Sequence, residues 1–164
     1  MECAIEFMKP EDWEEVRAIY VEGIETGNAT FQESAPSWTE WDREHISSCR
    51  LVARHGGRVC GWAALSPYTN RDCFSGVAEV SLYTGREFRR KGIGKKLLES
   101  LITESEGEGF WTLYSGIFPE NEASIALHRK CGFKLFCVGE KLGRTRDGIW
   151  RDVVYMSRRS AKVF

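Results

Sequence analysis

The run Arg89-Arg90-Lys91-Gly92-Ile93-Gly94-Lys95-Lys96 constrains this chain more than any other segment. Before it, Val77 to Tyr83 is apolar and β-prone and reads as a strand. After it, Ile93, Leu97, Leu98, Leu101 and Ile102 recur at helical spacing, and Gly107 and Gly109 mark a stop. A strand that passes into a helix through a basic, glycine-bearing turn belongs to an α/β chain. The helix start offers free backbone N–H groups and a partial positive charge, so it attracts phosphate. Gly92 and Gly94 let a phosphate approach the backbone, and Arg90, Lys91 and Lys95 add charge. A pyrophosphate is the ligand this chemistry suits. Two phosphate loops are excluded by spacing. A P-loop needs a glycine where Arg89 stands, and the dinucleotide fingerprint needs a third glycine where Leu97 stands. Taken alone, Arg-x-x-Gly-x-Gly is equally a solvated basic helix start with glycines for a tight turn.

The rest of the chain alternates strands and helices without a repeat or linker. Ala4–Phe7 reads as a first strand. Pro10, Glu11 and Asp12 open a helix that carries Trp13, Val16, Tyr20 and Ile24 and stops at Gly27. Ser37 and Glu40 form a capping box for a second helix through Trp38, Trp41, Ile46 and Cys49. Leu51–Arg54 and Val59–Leu65 flank a hairpin turn at Gly56-Gly57, and Ser66–Gly76 is irregular. Phe110–Ile117 is a further strand. Pro119-Glu120-Asn121 leads into a fourth helix closed by Gly132. Phe133–Val138 and Ile149–Met156 pair around Gly143–Gly148. The sum is about seven strands and four helices in one domain over residues 1–164.

Composition excludes some roles. Lys+Arg is 23 against Asp+Glu 24, a formal charge of −1, whereas a dedicated nucleic-acid binder is normally basic. No apolar run reaches the length of a membrane span, and the N-terminal residues lack a signal-peptide profile. A cytoplasmic location is therefore expected. The six cysteines include no Cys-x-x-Cys pair and no zinc spacing, so reduced thiols, most of them in or near the core, are expected and no metal is implied.

The order strand, Arg-x-x-Gly-x-Gly, helix, strand, Asn121, helix, Gly132-Phe133 resembles the core of the GCN5-related N-acetyltransferase (GNAT) superfamily. Ala29-Thr30-Phe31, Ala78-Glu79-Val80-Ser81-Leu82-Tyr83, Pro119-Glu120-Asn121-Glu122-Ala123-Ser124-Ile125-Ala126-Leu127-His128 and Trp150-Arg151-Asp152-Val153 look like its phosphinothricin acetyltransferase branch. The resemblance runs from about residue 3 to 158. It implies a mixed, mostly antiparallel sheet of the acyl-CoA N-acyltransferase type and acetyl-CoA as co-substrate.

Residue by residue, the resemblance implies that Leu82, Tyr83 and Thr84 bind the pantetheine arm and that Arg89, Arg90, Lys91, Gly92, Ile93, Gly94 and Lys95 hold the pyrophosphate. Asn121 matches an asparagine that bonds the cofactor arm, and it is also a good helix N-cap. Glu79 is read either as an exposed strand acid or as the general base that an incoming ammonium requires. It shares its face with Val77, Ser81 and Tyr83. His128 is read either as a solvent-facing helix residue or as a proton donor to the departing thiolate. His45 and His55 have no such context and are expected on the surface. The branch usually carries an arginine where this chain has Ser75. Arg71 is then the candidate partner for a substrate carboxylate, beside its reading as a loop charge. Thr30, Phe31, Ser81 and Trp150 are candidate acceptor-side residues, and Thr30, Phe31 and Trp150 are equally candidates for packing.

The resemblance thus implies direct acetyl transfer to the primary amine of a small molecule, an amino acid or analogue, in a homodimer. A protein N-terminus or lysine is the alternative acceptor. A non-catalytic coenzyme A sensor and an RNA-binding module using Arg86, Arg89, Arg90, Lys91, Lys95 and Lys96 are the competing classes.

Overall fold

A computed structural model describes residues 1–164. The strands are β1 (Ala4–Phe7), β2 (Leu51–His55), β3 (Arg58–Pro67), β4 (Val77–Thr84), β5 (Thr112–Ile117), β6 (Lys134–Arg144) and β7 (Trp150–Arg159). The helices are α1 (Trp13–Glu25), α2 (Trp38–Glu44), α3 (Ile93–Gly107) and α4 (Glu122–Lys130). The seven strands form one sheet in the order β1-β2-β3-β4-β5-β7-β6. Only the β4–β5 pair is parallel; the other five are antiparallel. This is the mixed, mostly antiparallel sheet that the resemblance implies.

The period-2 alternation of strand side chains divides the core in two. Ala63, Leu65, Ala78 and Val80 face Leu97, Leu98 and Leu101 of α3 on one side. Val52, Trp62 and Ala64 face Val16, Tyr20 and Trp41 of α1 and α2 on the other. The helix starts follow their capping chemistry. Ser37 and Glu40 close the capping box at α2, and Asn121 caps α4 by accepting from the Ser124 N–H at 3.2 Å. No helix is long and apolar enough to cross a membrane.

Several boundaries differ from expectation, and β3 runs on through Ser66 and Pro67, which pair with Glu79 and Ala78. Helix α2 ends at Glu44 instead of running to Cys49. The Arg50 guanidinium takes its carbonyls instead, donating to Asp42 O at 3.0 Å, His45 O at 2.8 Å and Ile46 O at 2.8 Å. Strand β5 starts at Thr112, because the Phe110 and Trp111 N–H groups bond back to Ser105 O and Gly76 O. Strands β6 and β7 run further than expected, leaving a turn closed by Thr145 and Ile149.

The site is set by one feature of the sheet. Strands β4 and β5 pair only at Val77↔Thr112, Ala78↔Leu113 and Glu79↔Tyr114. Beyond Glu79 they diverge, so Val80–Thr84 has no strand partner on its β5 side. Glu79 stands at the fork.

Candidate active site

Two cavities open from this fork. A groove of about 820 Å³ runs over the start of α3, and a cavity of about 510 Å³ lies on the other side. Both are walled by Ala29, Leu82, Tyr83, Asn121 and Ser124, so they meet at the strand gap.

The groove has the chemistry of an anion cradle. The first intrahelical bond of α3 comes from the Lys96 N–H to Gly92 O at 3.2 Å, which leaves the N–H groups of Ile93, Gly94 and Lys95 without helical partners. Unlike α2 and α4, α3 has no side-chain cap and no acid in its first turn. An incoming anion is the missing complement. Gly92, with φ of 80°, and Arg90, with φ of 59°, hold left-handed conformations of the kind that build concave N–H clusters. A Cβ on Gly94 would meet Leu127 Cδ2 at 3.1 Å. Leu82, Tyr83, Thr84, Arg89, Arg90, Gly92, Ile93, Gly94, Lys95 and Asn121 all line this groove. Lys91 does not; its ammonium lies 5.7 Å from the centre of the Phe88 ring. The residues present therefore fit a pyrophosphate at the turn, with an extended arm along the unpaired edge of β4.

The second cavity holds Glu79, Ser81, Thr30, Phe31 and His128. Glu79 is open to it and has neither an ion-pair partner nor a hydrogen bond within the protein. Although solvent reaches the carboxyl, burial among the cavity walls raises its pKa above the usual carboxylate value. No nearby cation opposes that shift.

His128 is 2% exposed, so it is not the solvent-facing residue of the simpler reading. Its Nδ1 lies 2.8 Å from Ser124 O. A carbonyl can only accept, so Nδ1 carries the proton and Nε2 presents a lone pair. Nε2 is buried without a partner. Burial lowers the His128 pKa, partly opposed by the bond to Ser124. In this tautomer His128 is an acceptor, and it becomes a proton donor only after taking a proton at Nε2.

Two candidates lie elsewhere. Arg71 sits in the connection between β3 and β4 with its guanidinium 5.6 Å from the Phe74 ring centre, and it lines neither cavity. Trp150 is 55% exposed at the start of β7, under the Arg144 guanidinium, and it too lines neither. Ser75, in the turn after Phe74, is likewise outside both linings.

The sequence reading missed Glu44 and His45, which also line the second cavity. His55 is exposed as expected, but His45 is half-buried, stacked 4.2 Å from Trp41. The signal was present: His45 follows Trp41 by four residues and shares its helix face. Also missed was Arg151, which donates to Gly27 O at 2.9 Å, Asn28 Oδ1 at 3.1 Å and Glu120 Oε2 at 3.2 Å. It ties the loop carrying Thr30 and Phe31 to the segment carrying Asn121, whose Nδ2 donates to Asn28 O at 3.2 Å.

A groove suited to an anionic carrier, and a second cavity that holds an unpaired carboxylate and shares the Leu82–Tyr83 wall with it, are the arrangement of a two-substrate transferase. A family model described as the acetyltransferase (GNAT) family matches residues 12–133. The chain is 31% identical over 170 residues to a phosphinothricin N-acetyltransferase of Alcaligenes faecalis, covering 95% of this chain and 82% of that protein. It is 28% identical over 151 residues to an L-methionine sulfoximine/L-methionine sulfone acetyltransferase of Pseudomonas aeruginosa, covering 86% and 85%. The crystal structure of a GNAT superfamily phosphinothricin acetyltransferase from Sinorhizobium meliloti in complex with AcCoA superposes with a TM-score of 0.88 at 30% identity, covering 99% of this chain and 91% of that one. The chain belongs to the GNAT acetyltransferase family, and it is an acetyl-CoA-dependent N-acetyltransferase.

Proposed function

We propose that this enzyme moves the acetyl group of acetyl-CoA to the primary amine of a small acceptor, an amino acid or an analogue of one. In this reading Glu79 is the general base. The observation that carries it is the unpaired Glu79 carboxylate, which lines the second cavity at the end of the β4–β5 pairing, three residues before the Leu82–Tyr83 wall that both cavities share.

An amine attacks a thioester only when neutral, so its ammonium must lose a proton first. Glu79 takes that proton directly or through one water, and its raised pKa makes it a better base than an ordinary carboxylate. The nitrogen forms its bond to the carbonyl carbon, and a backbone N–H on the unpaired edge of Leu82–Thr84 stabilises the oxyanion. The C–S bond then breaks. The nitrogen, positively charged after attack, gives up its second proton to solvent or to the lone pair of His128 Nε2, and the departing thiolate takes up a proton from solvent or from that protonated Nε2. The pyrophosphate rests on the turn from Arg90 to Lys95, with Asn121 beside the arm. Holding two substrates at one fork supplies much of the acceleration.

The test is release of coenzyme A thiol from acetyl-CoA against a panel of small primary amines. Acceptor-dependent release supports the reading. Thermal stabilisation by acetyl-CoA without release from any amine refutes the proposed acceptor class.

A further inference from the structure

The acceptor cavity is unusual in the sign of its polar groups. Among its lining residues are two carboxylates, Glu79 and Glu44, and no lysine or arginine. Its two imidazoles offer lone pairs. His128 gives its Nδ1 proton to Ser124 O at 2.8 Å and leaves Nε2 buried and unpartnered. His45 gives its Nδ1 proton to Trp41 O, also at 2.8 Å. Burial lowers the pKa of both rings, so both are neutral near pH 7. The charged and imidazole groups of this cavity are thus all acceptors. Tyr20, Phe31, Phe118 and Tyr155 supply aromatic walls.

The neighbouring arginines are engaged elsewhere. Arg151 lies 3.9 Å from the Phe118 ring centre and binds Gly27, Asn28 and Glu120. Arg146 reaches Glu33 at 3.4 Å. Arg71 stays over Phe74, outside the lining. A carboxylate entering this cavity would lose water, gain no cationic partner and face two like charges. An ammonium or an amide NH2 would meet acceptors on several sides.

We propose that the cavity selects a primary amine that carries no free carboxylate, such as a carboxyl-blocked amino acid or a diamine. This rests on the acetyltransferase reading above and narrows it. It also separates this chain from the acceptors named for its relatives, since methionine sulfone, for one, is a free amino acid.

Matched pairs test it: methionine against methioninamide, and γ-aminobutyrate against putrescine, each read as acetyl-CoA-dependent thiol release. The second pair guards against the lower basicity of an amide's amine. The carboxyl-free member of both pairs is expected to have a kcat/KM about tenfold higher or more. Glu44→Gln should reduce the preference for putrescine, and Arg71→Ala should leave both preferences unchanged. Equal or better turnover of the free acids overturns the proposal, and loss of that turnover in Arg71→Ala would name Arg71 as the carboxylate's anchor. Acid turnover overturns this narrower claim and leaves the acetyltransferase reading standing. Absence of turnover with every amine overturns both.

Discussion

At the scale of the residue, Glu79 combines two properties that are costly for a strand: an acidic side chain and no partner. Removing the carboxylate tests both. Glu79→Gln should keep acetyl-CoA affinity and lose about a hundredfold or more in kcat near neutral pH, the range general-base removal brings. Unchanged kcat would exclude it as the base. The pH profile follows from the direction of its shift. Catalysis needs ionised Glu79, and burial raises its pKa, so kcat should fall with acid at a pH above that of an ordinary carboxylate. That limb should vanish in the glutamine variant. Stability runs the other way. Because the folded pKa is raised, the native state binds more proton than the unfolded chain between the ordinary and the raised values. Stability therefore falls as pH rises through that window, and ionised Glu79 destabilises the fold above it. Glu79→Gln should melt higher than the parent at pH 7 and match it in acid. A lower melting temperature at both pH values would place Glu79 in a structural role.

At the scale of the element, the donor groove is a helix start left open. Gly94→Glu fills it; an acid near a helix N-terminus is favourable, while its Cβ crowds Leu127 Cδ2 at 3.1 Å, so the two effects on stability oppose each other. The variant should still unfold in one cooperative transition, while acetyl-CoA binds roughly a hundredfold more weakly, about 2.8 kcal/mol, in a thermal-shift or calorimetric titration. Normal binding would move the pyrophosphate away from this turn. Arg151 makes a complementary case on β7. Its fork serves three acceptors at once, so Arg151→Ala should raise the KM for the amine, and Arg151→Lys should not restore it. A KM equal to the parent's in both would make the tie irrelevant to the acceptor loop.

These elements also show what the sequence made legible. Ser37 with Glu40, Asn121, and the glycines near Gly92 and Gly132 are local signals, and the helices start or stop beside them. The fork itself was not legible, because divergence of β4 and β5 is a relation between distant segments; the resemblance assigned Leu82, Tyr83 and Thr84 to the cofactor arm without it. The end of α2 was hidden for the same reason. Arg50 competes for its carbonyls from outside the helix. Period-2 alternation put Glu79 and Ser81 on one face, and both line the acceptor cavity. It gave no hint that Arg71 and Trp150 would lie outside, since loops and strand ends follow no period.

At the scale of the molecule, the two edges of the sheet are handled differently. Strand β1 is 4 residues long, and its Glu6 pairs with Arg54 at 3.0 Å, which blunts that edge. Strand β6 is 11 residues long and exposes Leu135, Phe136, Val138 and Leu142. Ile149 and Trp150 extend the apolar strip across the hairpin. Bulges interrupt its register with β7 near Leu135 and between Gly139 and Gly143. Those bulges spoil the edge as a template for strand addition, so the apolar side chains are what a partner would cover. The homodimer expected from the sequence would seat here, against a second copy of the same strip. Sedimentation at micromolar concentration should give twice the 18.7 kDa chain mass. Leu135→Glu with Phe136→Glu should give the monomer, and because both positions are exposed the variant should fold. Leu142 and Gly143 of the same strand line the acceptor cavity. The monomeric variant should therefore lose activity through the amine's KM, with acetyl-CoA binding retained. A parent chain that sediments as a monomer would leave the strip without this partner, and a variant that stays dimeric would place the interface on another face.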